Sequence, residues 1–327
     1  MSIVWLVIGL VLILGGANFL TDGASAVAKR LGVSDLMIGL TVVALGTSTP
    51  ELSISITSAL QGNAALAVGN VIGSNIANIL LIIGLTAMIR PIHVGRSIMT
   101  NEIPMVVLVA LLVWVMGNSQ WLDGGVNMVT RVEGIMLLVF FLLFMRYTFA
   151  SAKREEDAAP ASAGNAADST APSAPKPMPI WRSAIYIVGG LAALIFGGDK
   201  FVDGAVDIAR MLGVSDMVIG LTIVAIGTSL PELATSVVAA VKGNGDLAVG
   251  NVIGSNIMNV VLILGATAVI TPLPFAGVTQ LDLGVLVGSS LLFWASGWLF
   301  GHRVIKRWEG ALMLLCYAAY LVAVTMK

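Results

Sequence analysis

The 327-residue chain is 57% hydrophobic and only 11% charged, with a formal net charge of -1. Soluble domains carry about 25% charged residues, so these few charges cannot clothe so much apolar surface in water, and a soluble globular enzyme is excluded. Cys316 is the only cysteine, which excludes a disulfide scaffold, and the balanced charge gives no signal for nucleic acid.

A chain of this kind uses lipid as its solvent. At about 20 apolar residues per span, the length allows roughly ten spans with short connections. Charged and turn residues divide it into apolar blocks near 3–28, 36–60, 64–89, 103–117 and 126–148, then 182–209, 217–241, 245–270, 283–300 and 308–326. The first block is too long and lacks the basic start of a signal peptide, so it reads as a retained helix. Residues 151–180 are rich in Ala, Pro, Ser and Asp, cannot bury a core, and read as a disordered linker between units 1–150 and 181–327.

Five spans per unit is an odd number, so the second unit starts on the opposite face from the first. With the N-terminus outside, the inner connections carry Lys29, Arg30, Arg90, Arg96, Arg146, Lys153, Arg154, Lys176, Arg182, Lys242, Arg303, Lys306 and Arg307. The outer ones carry only Arg131, Arg210 and Lys327, with Lys200 inside a span. The positive-inside bias therefore predicts both termini outside, the linker in the cytoplasm, and a multi-pass protein of the cell (inner) membrane.

Residues 34–89 and 215–270 align without a gap at an offset of 181, with about 36 of 56 positions identical, as expected of an internal repeat. Upstream, Gly16, Asp22, Gly23 and Leu31-Gly32-Val33 match Gly197, Asp203, Gly204 and Leu212-Gly213-Val214. The expected fold is an all-α integral membrane protein of ten helices in two inverted-topology repeats. Many secondary transporters share this plan and bind substrate near the midplane. A duplicated bundle without a transport role explains the repeat, but not why the copies share their most polar residues.

Each copy holds Gly-Thr-Ser-x-Pro-Glu inside an apolar span: Gly46, Thr47, Ser48, Pro50, Glu51 and Gly227, Thr228, Ser229, Pro231, Glu232. Proline removes a backbone donor and clashes with the preceding turn, so the spacing predicts a broken helix with freed carbonyls at membrane depth. A glutamate there is costly unless it is paired or protonated, and is functional by default. The second shared element is Gly-Ser-Asn-Ile-x-Asn: Gly73, Ser74, Asn75, Asn78 and Gly254, Ser255, Asn256, Asn259. About eleven residues per arm, or about 16 Å, predict antiparallel arms that bring Glu51 level with Asn78 and Glu232 level with Asn259. For Gly69, Gly73, Gly250 and Gly254, close helix packing is the competing explanation. The resulting donor set is two carboxylates, hydroxyls, amide oxygens and freed carbonyls, with no His, Cys or Met cluster. Hard cations match it, and Ca²⁺ takes six to eight oxygens in a flexible cage. Two glutamates neutralise one Ca²⁺ or two Na⁺, and a third Na⁺ makes the loaded states differ in charge.

Both motifs and their spacing resemble the sodium/calcium exchangers of the cation/calcium antiporter superfamily, over nearly the whole chain outside the linker. The resemblance implies ion sites between the second, third, seventh and eighth helices, with the first and sixth helices sliding to open either side. It implies Glu51 and Glu232 as shared Ca²⁺ and Na⁺ ligands, with hydroxyl or carbonyl oxygens from Thr47, Ser48, Thr228 and Ser229. Ser74 and Ser255 complete Na⁺ sites, Asn78 and Asn259 lie in the central layer, and Ala44 and Ala225 offer carbonyls. Asn259 is aspartate in potassium-dependent members, so asparagine here argues against a K⁺ requirement. The linker is too short for a folded Ca²⁺-sensing domain, so no regulatory Ca²⁺ site is expected there.

The remaining polar positions have plain explanations. Lys200 with Asp199 and Asp203 reads as a local ion pair or a snorkelling lysine. Ser34-Asp35 and Ser215-Asp216 read as helix caps. His93 and His302 have no partner ligands, and Cys316 reads as a small buried hydrophobe. Trp5, Trp121, Trp181 and Trp308 are expected at the interfaces. The leading expectation is a secondary-active Na⁺/Ca²⁺ antiporter with no cofactor, no catalytic role and no obligate protein partner beyond the bilayer. A Ca²⁺/H⁺ antiporter is the close alternative. A passive cation channel and an intramembrane hydrolase are further ones, the last weakened by the lack of an intramembrane His.

Overall fold

The computed structural model describes residues 2–158, 178–213, 225–299 and 303–326, and it is all-α apart from two short ribbons. The helices in chain order are α1 (Ser2–Leu31), α2 (Asp35–Thr47), α3 (Thr49–Leu60), α4 (Ala64–Ile89), α5 (Ile98–Met116), α6 (Ser119–Asp123) and α7 (Arg131–Ala158). They continue as α8 (Ile180–Met211), α9 (Ala225–Gly227), α10 (Leu230–Val241), α11 (Gly245–Ile270), α12 (Gln280–Leu299) and α13 (Arg307–Thr325). The ribbons pair β1 (Ile92–His93) with β4 (Val304–Ile305), and β2 (Met128–Val129) with β3 (Leu273–Pro274), all antiparallel. Among the described residues eight helices are long and apolar enough to cross a membrane, or nine when the bent α2–α3 pair counts as one span.

Helices α4 and α11 form the buried centre, contributing Ile76, Ile79, Ile82, Ile253, Val260 and Ile263 to one continuous core. Both start with an asparagine cap: Asn63 Oδ1 accepts from Leu66 N, and Asn244 Oδ1 accepts from Leu247 N. Each then widens into a π-helical segment at the same place, Asn78–Ile83 and Asn259–Leu264, an offset of 181. Such wide turns recur at functional positions, and here an asparagine opens each one.

Helices α1 and α8 run antiparallel along a seam of small residues spaced by seven: Ser2, Gly9, Gly16 and Gly23 against Gly204, Gly197, Gly190 and Ser183. A Cβ added at Gly16 would lie 2.7 Å from Gly190 O, and one at Gly190 would lie 2.7 Å from Leu20 N. Close backbone approach is what lets helices associate in lipid, where no hydrophobic force drives them together. Of the glycines shared by the upstream segments of the repeat, Gly16, Gly23, Gly197 and Gly204 are part of this seam.

Several boundaries differ from the sequence expectation, among them the fifth span, which begins at Arg131 rather than near residue 126. The fourth span begins at Ile98 rather than near residue 103. The polar Thr100-Asn101-Glu102 stretch is inside the helix because Glu102 is buried and accepts from Tyr147 Oη at 3.1 Å. Asp282 is likewise taken into α12, accepting from Thr279 and from Tyr320 Oη at 2.9 Å. Helix α7 runs to Ala158, eight residues into the segment expected to be linker, because Ala-Lys-Arg-Glu-Glu is a good helix former. The rest of that segment, residues 159–177, lies outside the described residues, as do Ser215, Asp216 and His302.

Several smaller expectations meet direct observations. Ser34 caps α2 by accepting from Met37 N. Lys200 pairs with Asp203 at 3.1 Å and lies over the rings of Trp5 and Phe196. Trp5, Trp121, Trp181 and Trp308 are all exposed. Cys316 is half-buried rather than fully buried. Gly250 and Gly254 serve close packing, since an added Cβ would meet Leu36 O and Leu40 O, each at 2.6 Å.

Candidate functional site

The chain is interrupted twice, once in each half. At Ser48 (φ -82°, ψ 9°) helix α2 gives way to α3 with a 43° bend. At Ser229 (φ -89°, ψ 7°) helix α10 begins in the same way. Pro50 and Pro231 lie in the first turn of the following helix, where a missing N–H leaves no bond unmade. The motif glycines allow close helix contacts. A Cβ at Gly46 would lie 2.6 Å from Leu191, and Gly227 faces Val202 in the same way. Both are therefore contact points for α8.

Each break places a glutamate in the first turn beyond it, and Glu51 and Glu232 are each only 1% exposed. Their carboxylates are reached from the opposite half. Ser48 Oγ donates to Glu232 Oε1 at 2.9 Å, and Ser229 Oγ donates to Glu51 Oε1 at 3.4 Å. Ser48 Oγ also lies 3.0 Å from Ser255 Oγ. Thr47 Oγ1 donates to Asn251 Oδ1 at 3.1 Å, across the halves again. Of the two π-turn asparagines, Asn259 bonds across the halves: its Nδ2 donates to Asn75 Oδ1 at 2.9 Å, and Asn75 Nδ2 donates in turn to Asn256 O at 3.2 Å.

Four further residues, absent from the sequence-derived set, hold this centre in place. Asn70 Nδ2 donates to Glu51 O at 3.2 Å and to Ser55 Oγ at 3.0 Å. Asn251 Nδ2 donates to Glu232 O at 3.3 Å and to Ser236 Oγ at 3.0 Å. These are the same pair of bonds at an offset of 181. The signal for them is in the repeat, since Asn70 and Asn251 are among the asparagines the two copies share. Within one half the backbone of Glu51 is thus in register with Asn70, eight residues before Asn78 or about 12 Å along the helix. The hydrogen bonds to the Glu51 carboxylate come from the other half.

Of the expected site residues, Thr47, Ser48, Glu51, Ser74, Asn78, Ser229, Glu232, Ser255 and Asn259 are all buried. Ala44 is buried beside Gly254, and its carbonyl accepts from Thr47 Oγ1 at 3.4 Å. Thr228 is half-buried and, with Pro50, Ile54, Asp199 and Pro231, lines a cavity of about 350 Å³ beneath α8. Ala225 opens α9, and only its backbone is described. Among the described residues, five buried oxygens of the expected site set have no hydrogen-bond partner: Glu51 Oε2, Glu232 Oε2, Asn78 Oδ1, Asn259 Oδ1 and Thr228 Oγ1. Such groups are rare and call for an explanation. All five are hard acceptors, as a Ca²⁺ or Na⁺ ligand must be. No group of three or more His, Cys, Asp or Glu gathers among the described residues, so any metal bound here would need mixed carboxylate, hydroxyl and amide oxygens.

A bundle of long apolar helices closed around buried, paired carboxylates defines an integral membrane protein with a polar centre shared by two homologous halves. The chain belongs to the sodium/calcium exchanger protein family, whose model matches residues 1–150 and 182–326. It is 40% identical over 319 residues to a putative antiporter, CaxA, of Alkalimonas amylolytica, covering 97% of this chain and 96% of that protein. It is 33% identical to the sodium/calcium exchanger MaX1 of Methanosarcina acetivorans, covering 97% and 96%. Among solved structures it resembles the sodium-calcium exchanger NCX_Mj soaked with Na⁺ and Ca²⁺, with a TM-score of 0.80 and 32% identity over 99% of this chain and 97% of that one.

Proposed function

We propose that this protein is a secondary-active antiporter that exchanges Ca²⁺ for several Na⁺ by alternating access and without K⁺. The observation that carries this reading is the reciprocal Ser48–Glu232 and Ser229–Glu51 pairing, with a second oxygen of each carboxylate unpaired beside it. Glu51 and Glu232 supply the negative charge for one Ca²⁺ or two Na⁺. Ser48 and Ser229 hold the carboxylates by donating a hydrogen bond, and rotation of either hydroxyl turns a lone pair toward a cation instead. Thr47, Thr228, Ser74, Ser255, Asn78, Asn259 and the carbonyls of Ala44 and Ala225 complete the oxygen set. The soaked Na⁺ and Ca²⁺ of the NCX_Mj structure and the name of the MaX1 relative support these substrates.

The architecture proposed for this work is ten spans in two inverted repeats, with the breaks at Ser48 and Ser229 at the midplane. The expected seventh span, 217–241, contains α9 and α10, and its start lies outside the described residues. The lysine and arginine distribution supports outer termini, a cytoplasmic linker and the cell (inner) membrane.

The test is Ca²⁺ uptake into proteoliposomes loaded with Na⁺. Uptake that follows the Na⁺ gradient supports the reading. Uptake driven by a pH gradient alone makes the protein a Ca²⁺/H⁺ antiporter, and conductance without a counter-ion makes it a channel.

A further inference from the structure

We propose that Lys242 and Asn244 form a one-sided latch, which holds α1 against α10 and biases the protein toward the conformation described here. The inference rests on the alternating-access reading. Helix α10 ends at Val241, Gly243 turns the chain with φ +85°, and Asn244 caps α11, so both side chains project from a tight corner. Lys242 Nζ lies 2.6 Å from Asp22 Oδ1 and donates to Asn18 O at 3.1 Å. Asn244 Nδ2 lies 2.9 Å from Ser25 Oγ and 2.9 Å from Asp35 Oδ2. One three-residue corner thereby ties α1 and the start of α2 to the second half.

The repeat-related corner is Gln61-Gly62-Asn63. Its backbone is the same: Gly62 has φ +80°, and Asn63 caps α4. Its chemistry differs, since Gln61 stands where Lys242 does, and the counterpart of Ser25 is Val206. Among the described residues no hydrogen bond joins Gln61 or Asn63 to α8. Asp203, the counterpart of Asp22, pairs instead with Lys200 on its own helix. Packing follows the same asymmetry. Helix α1 lies along α10, whereas the cavity of about 350 Å³ separates Ile195, Gly198 and Val202 of α8 from Pro50 and Ile54 of α3.

When the halves exchange roles, α8 closes on α3 and α1 leaves α10. That state loses the Lys242–Asp22 ion pair and the Lys242–Asn18 O and Asn244–Ser25 bonds. On the other side a neutral amide meets Asp203, and Val206 offers no acceptor. The state described here therefore holds an ion pair and a bond to Ser25 that the other state cannot form. The side chains of Lys242 and Asp22 are 29% and 44% exposed, so the ion pair contributes a bias of about threefold. A few-fold bias matters because apparent affinity on each face scales with the fraction of the competent state.

The test uses Thr235→Cys in a Cys316→Ser background, in the full chain in proteoliposomes. Thr235 is the counterpart of the cavity-lining Ile54 and is 0% exposed here, so a maleimide labels it only through the opposite conformation. We expect Lys242→Gln to raise its labelling rate about threefold, and the exchange Lys242→Asp with Asp22→Lys to restore the slow rate. Gln61→Lys, on the far side, adds a partner for Asp203 and raises the rate by a similar factor. Unchanged labelling in both Lys242→Gln and Gln61→Lys overturns the latch. An unmodified protein that shows no Na⁺-driven Ca²⁺ uptake overturns the transport reading, independently of the labelling.

Discussion

Ser48 Oγ donates to Glu232 Oε1 at 2.9 Å, and its repeat counterpart Ser229 donates to Glu51 at 3.4 Å. Each break thus serves the carboxylate of the other half. On the proposed function neither half contains a complete site, so a cation bound at the centre would sense the position of both. A duplicated sequence becomes one machine at these two bonds.

Removing either charge removes half the compensation for a divalent cation. We expect Glu51→Gln and Glu232→Gln each to lower Na⁺-driven Ca²⁺ uptake at least about 30-fold, since losing one partner of a buried charge interaction costs about 2–5 kcal/mol. The measurement is radiolabelled Ca²⁺ uptake at matched protein content. Retained exchange in both variants removes the site assignment.

The serines should matter less than the glutamates. Ser48→Ala takes away one ligand and one hydrogen bond to a charged group, about 1.5–3 kcal/mol. We expect a roughly tenfold weaker apparent Ca²⁺ affinity with the maximal rate largely kept, and the same for Ser229→Ala. A loss as complete as that of Glu232→Gln would instead assign Ser48 to the fold.

Asn251 positions the centre without contacting a carboxylate oxygen. Asn251→Ala breaks bonds to Thr47, Glu232 O and Ser236 at once and leaves buried groups unpaired. A destabilisation of about 2 kcal/mol is expected, read as a lower Tm in detergent, together with reduced uptake. Asn70→Ala should behave alike, because it loses the equivalent bonds to Glu51 O and Ser55.

The α1–α8 seam gives a paired test on neighbouring residues. A Cβ at Gly190 meets Leu20 N at 2.7 Å, whereas one at Gly189 meets nothing within 4 Å. Gly190→Ala should destabilise by about 1–3 kcal/mol through overpacking, and Gly189→Ala should be neutral or slightly stabilising. Equal melting temperatures for the two variants would show that the seam is not tightly packed.

Asn259 carries no charge, so flux should not depend on K⁺. Replacing K⁺ by choline on both sides is expected to leave Na⁺-driven Ca²⁺ uptake within experimental error, whereas a requirement for K⁺ would show as a several-fold fall.

The bundle and its centre were largely legible in the amino-acid string, for identifiable reasons. Lipid admits few charges, so Glu51 and Glu232 stand out within apolar spans. Duplication marks them a second time. Proline has a local effect, so Pro50 and Pro231 announce the breaks at Ser48 and Ser229 without tertiary information. Other features were not legible because they depend on partners distant in sequence. Glu102 looked like the edge of a span until Tyr147 supplied a donor from α7. Asn251 looked like one polar residue in a Gly-rich stretch until Thr47 and Glu232 O met its amide.

The sequence by itself determined the solvent, the duplication, the places where helices break and the oxygen chemistry held at those breaks. All of these follow from composition, local sterics or self-comparison. The tertiary structure alone decided that each serine faces the other half's glutamate and that α1 and α8 meet along a glycine seam. It also decided that two homologous halves adopt different arrangements, one corner bonded to α1 and the other, among the described residues, without a hydrogen bond to α8. The physical reason is that two copies of one sequence share local rules. Which copy closes depends on long-range contacts such as Lys242 with Asp22, 220 residues apart.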